Sequence, residues 1–381
     1  MLNLHQYRKK FAGNYSPLDR WNKFGKDIIP LWVADMDFTV CDDITQAINQ
    51  ENNIGKYGYC SPPTDLYETI INYIYERYDW EISRSQIILI PNVMTGMYNC
   101  VQEFTEVNDY VVTPQPIYYP FYDVVEKQDR EVAPIKYEIK NSRLLPDYSS
   151  ITQEHQTAKL FLFCNPQNPG GTMFNYHELT EIADLVIKNN WILCSDEIHA
   201  DINLTKHTKH IPIAKLSDKI AERTITLLSP SKAYNIPSIG FAYAIITNEE
   251  LRDRFKKSIQ PWVNLNPLSI VAVKTALSKC ENWLNKTIEK IRINYITVLD
   301  WAKKQAEVSV IVESEATFMV WIGIKNGTNI NLNQLFLRHG VAVVDGIIYR
   351  QPGFIRLNIA TSTEVLREAL FRMEGALKTI E

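Results

Sequence analysis

The 381-residue chain is 45% hydrophobic and 22% charged, and 40 Lys and Arg against 44 Asp and Glu leave a formal charge of −4. That apolar fraction supports a sizeable core and excludes global disorder. The balanced charge, with no long Lys/Arg run, argues against a nucleic-acid coat, and 14 Gly with 18 Pro exclude collagen-like or linker-dominated chains.

At the N-terminus, Met1 to Lys10 has no apolar signal region, and no stretch approaches the roughly twenty apolar residues of a membrane span. Six cysteines (41, 60, 100, 164, 194 and 280) are scattered without a C-x-x-C pair and read as reduced, mostly buried thiols. A cytoplasmic protein is expected. Tyr67, Tyr73, Ile74 and Tyr78 read as the packing stripe of a helix, not a stacking platform for nucleic acid. Next come apolar runs that predict strands: Ile87–Ile90, Tyr110–Thr113, Leu160–Cys164, Trp191–Cys194, Thr224–Leu228 and Phe241–Ile246. They are apolar throughout instead of alternating, as strands covered on both faces are. Amphipathic segments intervene. Met97–Phe104 reads as a helix, and His177–Lys188 puts Leu179, Ile182, Ala183, Val186 and Ile187 on one face.

Beyond about residue 266 strict alternation ends. Pro267–Ser278 and Glu281–Gln305 read as helices, followed by a strand at Phe318–Ile322 and a helix at Leu332–His339. Strands at Val341–Val344 and Phe354–Asn358 and a closing helix from Thr363 complete the chain. The pattern predicts an α/β fold: a large, doubly wound domain with a mainly parallel sheet, and a smaller α+β domain. The expected division is 1–40 as an N-terminal segment contributing to the small domain and the active-site entrance, 41–275 as the large domain, and 276–381 as the small one.

Chemistry is expected where strands end. Asn168, in the turn Asn165–Gly171, could present an amide to a ligand or sit in a polar loop. Asp196 ends a buried strand and needs a cation or donors, whether from a salt bridge or from a ligand. Lys232, between Ser231 and Ala233, is an ordinary solvated lysine unless shielded; shielded, it becomes a usable nucleophile or base. Arg356 lies in an apolar strand, and its fork suits either a carboxylate ligand or an internal ion pair. His199 alone reads as a core histidine, His207–His210 as a polar loop rather than a metal site, and Lys256-Lys257 as a solvated pair.

Taken in order with the doubly wound core, these residues resemble fold-type I pyridoxal-phosphate (PLP) enzymes, the aspartate aminotransferase superfamily, over nearly the whole chain. The strings Pro30–Phe38 (P-L-W-V-A-D-M-D-F), Tyr57-Gly58-Tyr59, Pro116–Tyr122, Ser195–His199 and Ser231–Pro237 resemble the cystathionine β-lyase / C–S lyase branch, the MalY/PatB type. The resemblance implies that Lys232 carries the PLP aldehyde covalently and shuttles a Cα proton. Asp196 pairs with the pyridine nitrogen, Asn168 with the phenolic oxygen near His199, and Tyr118 stacks on the ring. It further implies a phosphate cup from the Val93 and Met94 amides with the Ser229 and Ser231 hydroxyls. Arg356 clamps the substrate carboxylate beside Ala34, and Tyr59 reaches the neighbouring subunit's phosphate in a homodimer.

Two positions depart from the pattern. Gly240 stands where aspartate aminotransferases carry a phosphate-binding arginine, and Asn14–Trp21 matches the branch's S-x-K-W-D only loosely. The implied activity is β-elimination from L-cystathionine or another cysteine S-conjugate. The alternatives are a class I/II aminotransferase and a PLP-binding regulatory protein with little turnover.

Overall fold

The structure, a computed structural model, describes residues 20–206, 208–259 and 265–380. The apolar runs become strands because each buries both faces. In Leu160–Cys164, Leu160, Leu162 and Cys164 enter one core, while Phe161 and Phe163 enter another on the opposite face. That is the two-residue period of a pleated strand. Helix Val93–Phe104 closes the first core with Val93, Met97, Cys100, Val101 and Phe104. Helix Tyr176–Lys188 closes the second with Leu179, Ile182, Ala183 and Val186. Each fully buried large aliphatic contributes about 1.5–3 kcal/mol.

These strands belong to one eight-stranded sheet. Its order is Ile87–Ile90, Ala242–Ile245, Thr224–Leu228, Ile192–Asp196, Leu160–Cys164, Tyr110–Gln115, Glu131–Lys140 and Arg143–Pro146. From Thr224–Leu228 to Glu131–Lys140 every pairing is parallel. Ala242–Ile245 runs antiparallel to both neighbours, and Arg143–Pro146 ends the sheet as the second arm of a hairpin. The C-terminal ends of Ile87–Ile90, Leu160–Cys164, Ile192–Asp196 and Thr224–Leu228 therefore share one edge of the sheet.

A second sheet is four-stranded and antiparallel: Val308–Ile311, Met319–Ile324, Phe354–Asn358 and Val344–Asp345. The long helix Glu281–Ala302 and the closing helix Thr363–Leu377 pack on one another beside it. The expected strand Val341–Val344 is divided. Val341–Ala342 pairs in parallel with Ile29–Pro30, whereas Val344 pairs with Arg356, because the chain changes partner at Val343. This early pairing places the segment after Pro30 between the two sheets. None of the six cysteines forms a disulfide, and five are buried. No helix among the described residues is long and apolar enough to cross a membrane.

Candidate active site

Residues far apart along the chain meet at that sheet edge. Lys232 lies just past Thr224–Leu228, and its Nζ donates to Ala34 O at 2.8 Å. Burial lowers this amine from its ordinary 10.5 to about 8; Asp35 and Asp196 oppose the shift and Arg356 adds to it. An amine so placed spends a useful fraction of its time unprotonated near neutral pH.

Asp196 ends its strand 5% exposed, and its Oδ1 accepts the Ile198 N–H at 3.0 Å. Burial pushes the carboxyl up to about 7, with a further rise from Glu197 and only partial relief from that N–H and from Lys232. An underpaired carboxyl of this kind is built to meet a positively charged partner. His199 lies three residues on. Burial, then Lys232 and Arg356, hold its imidazole down at about 3, so it is neutral. Its Nδ1 is buried without a partner.

Arg356, 4% exposed, donates through one terminal nitrogen to Asn168 Oδ1 at 3.2 Å and through the other to Trp32 O at 2.8 Å. Its Nε is buried and unpartnered. Because a guanidinium can only donate, the Asn168 oxygen faces Arg356 and its amide nitrogen points elsewhere, available to an acceptor. Tyr118 is anchored here through its own N–H, which donates to Asn168 O at 3.0 Å, and burial raises its phenol.

Helix Val93–Phe104 supplies the opposite wall. Asn92 caps it, accepting the Thr95 N–H through its side chain at 2.8 Å and the Gly96 N–H through its carbonyl at 3.3 Å. Among the described residues the Val93 and Met94 amides have no partner, so a helix N-terminus with two free donors opens onto the sheet edge. Gly96 lets the turn sit this low: a Cβ there would lie 2.8 Å from Ile90 Cδ1. Gly240 borders the same place with open space around it, the nearest atom to an added Cβ being Pro91 O at 3.9 Å. It has a left-handed φ of +68°, a conformation an arginine would strain to adopt.

Not every expected residue enters the cluster. The Ser229 hydroxyl donates to Phe241 O at 2.7 Å and accepts the Ser231 N–H at 3.1 Å, so it braces the loop that carries Lys232. Tyr59 is fully exposed and meets nothing in its own site. His207 and residues 14–19 lie outside the described residues. Thr208–His210 is loop, as expected, with Thr208 and Lys209 exposed; His210 alone turns inward, 4% exposed, with Nε2 2.6 Å from Glu197 Oε2.

Sequence reading assigned no role to Asn235 and Asn358, yet they hold the entrance segment. Asn235 exchanges hydrogen bonds with Met36 and reaches Phe38 O at 2.8 Å, and Asn358 donates to Val33 O and Asp35 O. The one visible signal was an Asn inside the apolar strand that also carries Arg356. Arg20, buried beside Asp35 and Asp37, completes the bracing from below.

The donor set fits PLP: an amine of lowered proton affinity, an underpaired carboxyl, a free amide nitrogen and two free helix N–H groups. Fold and site together define a fold-type I PLP enzyme, and the chain belongs to the aminotransferase class I and II family, whose model matches residues 26–373. Within it, the chain is related to the C–S lyase branch. It is 30% identical over 372 residues to cystathionine β-lyase PatB of Bacillus subtilis (strain 168), covering 94% of this chain and 96% of PatB. The crystal structure of OvoB superposes with a TM-score of 0.92 at 32% identity, covering 97% and 98% of the two chains. Cystalysin from Treponema denticola, which contains a pyridoxal 5'-phosphate cofactor, gives 0.90 at 27% identity, covering 97% and 99%.

Proposed function

We propose that this chain is a PLP-dependent carbon–sulfur lyase that cleaves L-cystathionine or a related cysteine S-conjugate by β-elimination. With L-cystathionine and water the products are homocysteine, pyruvate and ammonia. The observation that carries the reading is Lys232: a shielded amine lowered to about 8, facing both the Asp196 carboxyl and the Arg356 guanidinium. Kinship with PatB, a cystathionine β-lyase, points to sulfur substrates.

Bound here, PLP supplies an electron sink for the pair left when a substrate Cα loses its proton. Lys232 is the residue to hold it and then to carry that proton. Asp196 keeps the pyridine nitrogen protonated, and the free Asn168 amide meets the phenolic oxygen. Tyr118 would stack on the ring, and His199, held neutral by burial, would stand near the same oxygen without adding charge. Val93 and Met94 donate to the phosphate, with Ser231 beside them and Ser229 bracing the loop. Arg356 receives the substrate α-carboxylate through a guanidinium already aimed by Asn168 and Trp32, close to the Ala34 carbonyl. Tyr59, exposed on its own chain, reaches the phosphate of a second copy in a homodimer.

Two assays test this. Borohydride reduction of the PLP-loaded protein followed by peptide mapping is expected to find a pyridoxyl group on Lys232. Incubation with cystathionine alone is expected to release thiol and pyruvate. Amino transfer to an added oxo acid with no pyruvate would establish the aminotransferase alternative instead.

A further inference from the structure

Immediately behind Asp196 stands a second buried carboxylate that no step above uses. Glu197 is 1% exposed and receives three donors. Ser195 Oγ and the Ile213 N–H reach its Oε1 at 2.9 and 3.3 Å, and His210 Nε2 lies 2.6 Å from Oε2. His210 Nδ1 is buried with no partner. Every group that reaches the Glu197 carboxylate can donate to it, the surroundings in which a carboxylate's charge is favoured by hydrogen bonding.

We infer that Glu197 is a positioning residue: its charge, held by His210, Ser195 and Ile213, strengthens the grip of Asp196 on the proton that it shares with the cofactor's ring nitrogen. The inference rests on the cofactor site proposed above. A like charge one residue away raises proton affinity at Asp196, in the direction already noted for its carboxyl. It also favours a cation across from Asp196 directly. The other titratable groups around Asp196 are Lys232 beyond the next strand, Tyr118 and Cys164 on one side, Cys194 on its own strand and His199 in the turn that follows. Glu197 itself faces His210 and Cys164.

The test is the pH dependence of PLP retention, measured by dialysis of the loaded protein with absorbance of the retained cofactor. Retention should fall as rising pH strips the shared proton. Glu197→Gln is expected to move that midpoint down by about one pH unit. Glu197→Asp, which keeps the charge but withdraws it by one methylene, should fall between the Gln variant and wild type. If Glu197→Gln does not fold, the downward shift in Glu197→Asp alone decides the matter. A midpoint unchanged or raised in a variant that still binds PLP overturns the inference. Failure of wild type to yield a pyridoxyl-Lys232 adduct would instead overturn the cofactor site beneath it.

Discussion

Asp196→Asn separates the cost of building the site from its use. Without cofactor, burial lifts the Asp196 carboxyl from its ordinary 3.8 to about 7. A raised acid keeps its proton in the folded chain at pH values where the unfolded chain has already lost it. Folding is therefore penalised progressively as pH climbs from about 4 to about 7, and fully above that. About three pH units at about 1.36 kcal/mol each come to about 4 kcal/mol, a large share of a typical domain's stability. Asparagine fills the same space and does not ionise. The cofactor-free Asp196→Asn protein should thus exceed wild type by up to about 4 kcal/mol above neutrality, and the difference should vanish toward pH 4. Adding PLP should reverse the order, since ligand binding stabilises the wild type in proportion to an affinity that the variant loses. Urea unfolding across pH, with and without PLP, measures both effects. A cofactor-free variant no more stable than wild type above neutrality, or a gain that does not shrink with acid, would refute the reasoning.

Arg356→Lys keeps the charge but loses the planar fork aimed by Asn168 and Trp32. KM for the amino-acid substrate should rise about tenfold to a hundredfold, with a smaller change in kcat, in steady-state assays. Competitive labelling of the cofactor-free protein with a small amine reagent should titrate Lys232 with a midpoint near 8; a midpoint at 10.5 would contradict the shielding described. Gly171→Ala places a Cβ 2.0 Å from Ser314 Oγ at a φ of +76°. Thermal or urea unfolding should show a loss of about 2 kcal/mol or more, because the loop after Leu160–Cys164 there touches the connection between strands Val308–Ile311 and Met319–Ile324 of the small sheet.

Much of the framework was legible before any coordinates. Strands covered on both faces read as unbroken apolar runs, and Ile87–Ile90, Leu160–Cys164, Thr224–Leu228 and Phe354–Asn358 were bounded correctly for that reason. The hairpin at the sheet edge signals itself more weakly: Ile135, Tyr137 and Ile139 alternate with Lys136, Glu138 and Lys140, as in a half-exposed strand. Asn141 and Ser142, both at positive φ, make its turn. Pro134 and the charges on the outer face concealed it.

Which residue types stand at strand ends is read directly from the chain, and hence that an amine, a carboxyl, an amide and a guanidinium could converge on one edge. This follows because a parallel sheet turns positions far apart in the chain into neighbours in a predictable order. The electrostatics came from packing alone. The lowered amine of Lys232, the raised carboxyl of Asp196 and the bond of His210 to Glu197 depend on which groups are excluded from water together. That exclusion is a property of packed surfaces, and no spacing along the chain encodes it.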